Sequence, residues 1–212
     1  SSLLGWLNKA FENTDLPTDP VTGFPSGYWL GDTKIKFEFN EVYFYNNTTW
    51  FNQTYPTGVD NLRSHHLQTN PDATNYINCY IVRNSYPNAG GATFTSSSEP
   101  RIISYGWDDP SIAGTWSGGY WYWEHHLPHE MAHLLGLYHT YGGTSCCPEQ
   151  SSGVDLLTDV FFTPFQYENS CPPGGPTVSS TDFCTNNVLS GHDQENNFLS
   201  PLQAGRAHRV LR

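Results

Sequence analysis

Residues 129–139 read His129-Glu130-Met131-Ala132-His133-Leu134-Leu135-Gly136-Leu137-Tyr138-His139, and few folds can satisfy that string. Residues four apart on a helix share a face, so His129 and His133 point their imidazoles at one spot, with Glu130 projecting beside them. A helix carrying His-Glu-x-x-His is the zinc-binding arrangement of hydrolytic sites. Such sites take three protein ligands and leave a fourth position open. His139 is the candidate third ligand. It reaches the metal only if the helix stops and turns, and Gly136 is the residue able to take the left-handed conformation at that point. A fixed Gly and a fixed His beyond the two-histidine core make an incidental match improbable.

The string resembles the extended zinc signature of the metzincin metallopeptidases, and its continuation, Leu137-Tyr138-His139-Thr140-Tyr141-Gly142-Gly143, is similar to the pappalysin branch. Tyr76 to Val82 resembles that family's central strand and Gly90-Gly91-Ala92-Thr93-Phe94 its rim strand. Asp155-Leu156-Leu157-Thr158-Asp159 is similar to its Asp-rich loop, which usually continues Thr-Pro where this chain has Val160-Phe161. The resemblance implies an α+β fold: a metzincin-type catalytic domain with a twisted mixed sheet, backing and active-site helices, and an irregular C-terminal lobe ending in a helix. It makes 1–212 one catalytic domain, with an N-terminal subdomain 1–138 and a C-terminal subdomain 139–212.

The implied activity is that of a secreted zinc-dependent endopeptidase, in which Glu130 acts as general base and then general acid toward a zinc-activated water. An extended substrate would pair with an exposed strand edge, for which Gly91, Ala92 and Thr93 are the candidates by resemblance. Asp155 and Asp159 either hold calcium, as the family's related loop does, or form a solvated acidic loop.

One departure concerns the turn beneath the metal, where metzincins carry a methionine. Met131 is the chain's single methionine and lies in the zinc helix itself. The best match to the turn, Asn186-Asn187-Val188-Leu189-Ser190-Gly191, puts Leu189 at the methionine position and Gly191 where the family has a tyrosine. A second placement, at Asn196 to Leu199, leaves too little room before Ser200-Pro201. Leu for Met nearly conserves volume and should cost under about 1.5 kcal/mol. Loss of the tyrosine leaves transition-state stabilisation to zinc or to another donor such as His192. It also keeps open an alternative from another class: a zinc-containing binding module of the same fold with impaired catalysis. Retention of Glu130, which binds no metal, favours catalysis. A glycan-binding piece of an adhesin, a third reading, rests only on aromatic content such as Tyr120-Trp121-Tyr122-Trp123, rings that more often wall a core or cleft.

Composition restricts the partners. With 20 acidic against 9 basic residues and a formal charge of −11, the chain is a poor match for nucleic acid or anionic membrane surfaces. It holds no apolar run of membrane-spanning length and no charged-then-apolar leader, so neither membrane insertion nor a retained signal peptide is expected. Protein or peptide substrates and a monomer are the expectation.

Five cysteines, Cys79, Cys146, Cys147, Cys171 and Cys184, are an odd number, so at least one is unpaired or pairs outside this chain. The resemblance implies that Cys146 or Cys147 closes onto Cys184. The spacings of a Cys-rich structural zinc site are missing. Asn46, Asn47 and Asn52 begin glycosylation sequons, meaningful only along a glycosylating route.

Periodicity supplies the remaining elements. Leu3 to Phe11 has helical spacing. Lys34 to Phe44 alternates and predicts a half-buried strand with Ile35, Phe37 and Phe39 on one face. Asp60 to Thr69 predicts a short element, and Arg101 to Tyr105 a strand. The zinc helix is expected to begin near Glu124 with Pro128 close to its first turn, and His125 and His126 on its surface. His65 and His66 are expected to face solvent. Ser200-Pro201-Leu202-Gln203 is a helix-start signature, predicting a last helix through Val210.

Overall fold

A computed structural model describes residues 3–12, 30–52, 57–82, 91–94, 101–105, 123–139, 157, 187–189 and 198–212. Its contacts group the chain into two compact units, one formed by Ser1–Glu38 with Ser117–Arg212 and the other by Phe39–Trp116.

The first unit contains α1 (Leu3–Glu12), α4 (Trp123–Leu134) and α5 (Pro201–Val210). Helix α1 buries Leu7 and Phe11, two of the residues that helical spacing puts on one face, together with Ala10, and packs against α4; Leu4 is half-buried. Helix α4 is apolar on most sides from its middle onward: Leu127, Met131, Ala132 and Leu134 are all buried, as is Leu135 just beyond its end. A helix enclosed in this way is a core element and cannot shift without disturbing its neighbours. Pro128 is the sixth residue of α4, just beyond its first turn. Without an N–H it leaves the Glu124 carbonyl without its helical donor, and surrounding packing has to outweigh that loss.

The expected strand at 34–44 is not one. Lys34 has φ +62°, a left-handed conformation incompatible with a continuous strand, and the Asp32 carboxylate accepts from its backbone N–H at 2.7 Å. Side chains take the place of a ladder. Asn8 on α1 donates to the Phe37 carbonyl at 2.9 Å and accepts from the Phe37 N–H at 2.7 Å. The Thr33 hydroxyl donates to the Phe11 carbonyl, and the His208 ring donates to the Thr33 carbonyl at 2.6 Å. Burial still alternates from Thr33 to Phe37, with Phe37 meeting Phe11 edge-on at 5.0 Å. Beyond that the alternation ends, because Phe39 and Phe44 are both exposed.

The second unit holds α2 (Thr48–Asn52), α3 (Thr57–Thr69), a 3₁₀ turn at Pro71–Asn75 and three strands, β1 (Asn78–Val82), β2 (Gly91–Phe94) and β3 (Arg101–Tyr105). The strand order is β1-β3-β2. β3 runs parallel to β1, with Tyr80 opposite Ile103, and antiparallel to β2, with Ala92 opposite Ile103. The sheet is therefore mixed, and β2 is an edge among the described strands. Helix α3 and β1 pack together.

His66, expected in solvent, is 5% exposed. The Tyr45 hydroxyl lies 2.7 Å from its Nδ1, and the Asn70 amide nitrogen 3.3 Å from the same atom. A hydroxyl can donate or accept, so Tyr45 satisfies Nδ1 in either tautomer of the ring. Tyr43 and Tyr80 meet the ring edge-on. The polar pattern of helix α3 hides this, since a histidine is buried readily once a local hydroxyl satisfies it.

Candidate metal centre

Helix α4 carries His129 and His133 on one face and ends in a hydrogen-bonded reversal. The Leu137 N–H donates to the Ala132 carbonyl at 3.1 Å, and the Gly136 N–H to the His133 carbonyl at 2.9 Å. This pair of bonds is a Schellman motif, which requires a left-handed residue at its first position outside the helix. Gly136 is that residue, with φ +76°, and Leu137 buries its side chain behind the turn. The chain reverses at that point, and three residues later His139 faces the helix again.

The Nε2 atoms of the three histidines lie 3.0 Å (His129 to His139), 3.2 Å (His133 to His129) and 3.1 Å (His133 to His139) apart. Three imidazoles around one tetrahedral metal at ordinary bond lengths would hold their nitrogens about 3.3 Å apart. The triangle is close to that size, and the three ligand atoms are arranged to hold one metal ion.

The other ring nitrogens define the protonation. His129 Nδ1 lies 3.0 Å from the Val188 carbonyl, and His133 Nδ1 lies 2.9 Å from the Leu137 carbonyl. A carbonyl only accepts, so in both rings Nδ1 carries the proton, and in a neutral ring Nε2 carries a lone pair. Two lone pairs then face each other at 3.2 Å, a repulsive contact that a cation between them converts into attraction. Burial acts in the same direction. It lowers the pKa of His133 despite the opposing bond to Leu137. For His139, burial first and the nearness of His133 second bring it down to about 3. Neutral imidazole is the form that binds metal.

Glu130 is 8% exposed. On a regular helix it projects about 60° around the axis from His133, on the side away from His129.

Residues 187–189 and the start of α5 form the support behind His129. The Val188 N–H donates to the Phe198 carbonyl at 2.9 Å, pairing the two segments across a short bridge. Leu189 is fully buried, and its N–H donates to the Asn187 side-chain oxygen at 3.0 Å. The Asn187 amide donates to the Gln203 oxygen at 2.7 Å, and Gln203 returns a bond at 3.3 Å. Gln203 also closes a capping box with Ser200. Helix α5 meets the other ligand turn as well: a Cβ at Gly136 would lie 3.0 Å from Val210, and Arg206 stands over the Tyr138 ring at 5.8 Å.

The structure thus brings together His129, His133 and His139, with Glu130 buried in the same helix and Leu189 on the segment that meets His129. Gly91, Ala92 and Thr93 lie on β2 in the other unit. Asp155, Asp159, Cys146, Cys147, Cys171, Cys184, Gly191 and His192 lie outside the described residues, as do the side chains of His125 and His126. Cys79, on β1, is free. Among the described residues no helix is long and apolar enough to cross a membrane. The capping signature predicts that the Gln203 side chain reaches back to the Ser200 cap, and it does; the buried amide pair that Gln203 makes with Asn187 has no signal in the sequence.

No protein-family model, curated protein or solved structure matches the chain.

Proposed function

We propose that this chain is a zinc-dependent endopeptidase of metzincin type, secreted and acting on protein or peptide substrates as a monomer. The observation that carries the reading is the triangle of Nε2 atoms, 3.0–3.2 Å on a side, in which two of the rings are fixed by backbone carbonyls. An all-imidazole set with borderline-soft nitrogen donors suits zinc better than calcium or magnesium, which prefer oxygen. Three protein ligands leave a coordination position open, the pattern of catalytic rather than structural zinc.

Zinc, when bound, supplies Lewis acidity to a substrate carbonyl and to the attacking water. The chain's own groups do the rest. The carbonyls of Val188 and Leu137 hold His129 and His133 in the tautomer that presents Nε2. The Glu130 carboxylate accepts a proton from the attacking water and delivers it to the departing amine nitrogen. The Leu189 side chain belongs to the apolar floor under the histidines. By resemblance, β2 offers its edge to an extended substrate, Asp155 and Asp159 hold calcium, and Cys146 or Cys147 joins Cys184.

The test is metal content together with cleavage. The purified chain should carry one zinc and cut a denatured protein. Chelation should abolish cutting and added zinc restore it, while His133→Ala should lack both zinc and activity. A chain without zinc refutes the metal centre. The second reading, a zinc-bearing binding module, is favoured by Gly191 at the position of the family's tyrosine, and it predicts full zinc with no cleavage of any substrate.

A further inference from the structure

We propose that the C-terminal helix α5 is the brace of the metal centre, and that Gln203 is a positioning residue for His129; this rests on the metal reading above. The path is continuous and short. Gln203 is fully buried at the start of α5. Its side-chain oxygen accepts from the Ser200 N–H at 3.0 Å, the reciprocal half of the capping box, and from the Asn187 amide at 2.7 Å. Asn187 in turn accepts from the Leu189 N–H at 3.0 Å. Between Asn187 and Leu189 lies Val188, whose carbonyl orients His129 at 3.0 Å.

A cap alone does not need this arrangement. The capping bonds use only the Ser200–Gln203 pair. Here the amide is sealed inside and paired with a second buried amide on a segment sixteen residues away. A buried pair of this kind has one well-satisfied geometry, because each amide supplies the donor and acceptor the other lacks. It therefore fixes the distance between α5 and the 187–189 turn, and with it the Val188 carbonyl that no side-chain substitution can reach directly. The same helix meets the turn leading to His139 through Val210 and Arg206. Two of the three ligands thus take their positions from one helix that carries no ligand.

Outer partners of metal-binding histidines typically change metal affinity by about 10–100-fold when altered. Gln203 acts one bond further out, so Gln203→Met, which keeps the length and removes both polar atoms, should weaken zinc binding by about tenfold in chelator competition. The cobalt-substituted protein should also show altered ligand-field absorption. Ser200→Ala is the control: it removes the hydroxyl that accepts from the Gln203 N–H but leaves the amide pair standing. It should lower the melting temperature of the metal-free protein without changing zinc affinity or the cobalt spectrum. Should Gln203→Met fail to fold, Asn187→Ala cuts the same link from the other side, with the same expected loss. Zinc affinity and cobalt spectrum equal to wild type in the folded variant overturn the brace while leaving the metal centre intact. A wild type that binds no zinc overturns both.

Discussion

Gly136→Ala separates the two demands that the ligand-delivering turn places on one residue. The first is conformational: Gly136 has φ +76°, and an L-residue held in the left-handed region costs about 1–2 kcal/mol. The second is spatial: the added Cβ would lie 3.0 Å from Val210 Cγ2, tight, but against the tip of a half-exposed side chain that can rotate aside. The conformational demand should therefore dominate. At about 2–4 °C per kcal/mol for a chain of this size, the metal-free protein should melt about 2–8 °C lower. Zinc affinity should fall as well, because His139 follows the turn by three residues. Thermal melts under chelation, with zinc titrations alongside, measure both effects, and a Val210→Ala background separates their causes. Removal of the valine tip should restore only a small part of the loss. Full restoration would refute the reasoning, since it would place the cost in the contact rather than in φ, and an unchanged melt would show that the turn is not left-handed there.

The pH dependence has a defined sign. His139 titrates near 6.5 when unfolded and is brought down to about 3 in the fold, with His133 also lowered. The unfolded chain therefore binds more protons between those values, and the metal-free protein should lose stability as pH falls below about 6.5. His139→Ala should flatten that part of the melting profile, whereas a profile of unchanged slope would contradict the burial assigned to the ring. Leu189→Ala should destabilise by about 2–5 kcal/mol, as expected for emptying a fully buried leucine site, and Leu189→Met by under about 1.5 kcal/mol; urea unfolding measures both, and equal effects would remove Leu189 from the core. Tyr45→Phe deletes the hydroxyl that is hydrogen-bonded to buried His66 and should cost about 1–2 kcal/mol, since Asn70 keeps a longer contact to the same nitrogen. A neutral result in the same assay would mean that His66 finds its partner elsewhere.

What could be read from the sequence was local. The histidine string at 129–139 carries its own geometry, because i, i+4 pairing and a glycine turn are settled within a few residues, and the structure shows both. Ser200-Pro201-Leu202-Gln203 announced its helix for the same reason. The errors arose where distant groups decide. Alternation from Lys34 to Phe44 predicts burial, which holds only as far as Phe37, and a strand, which does not form because the partners of that backbone are the side chains of Asn8 and His208 rather than a neighbouring strand. The sequence points His66 toward solvent because nothing near it in the chain reveals the tyrosines at 43, 45 and 80 that meet its ring. The link from Gln203 through Asn187 to the metal histidine was invisible for the same reason: it joins positions sixteen residues apart through amides whose burial only the fold establishes.

Glu130 is the proposed proton carrier beside the three-histidine site. Wild type and Glu130→Ala, each shown to contain one zinc per chain, should be compared on an unfolded protein substrate with the products mapped by mass spectrometry. Wild type should cleave at defined bonds, and Glu130→Ala should be slower by about 10²–10⁴-fold, the usual contribution of a positioned general base. Equal rates in the two zinc-loaded proteins, or no cleavage by either with calcium supplied, would contradict that role.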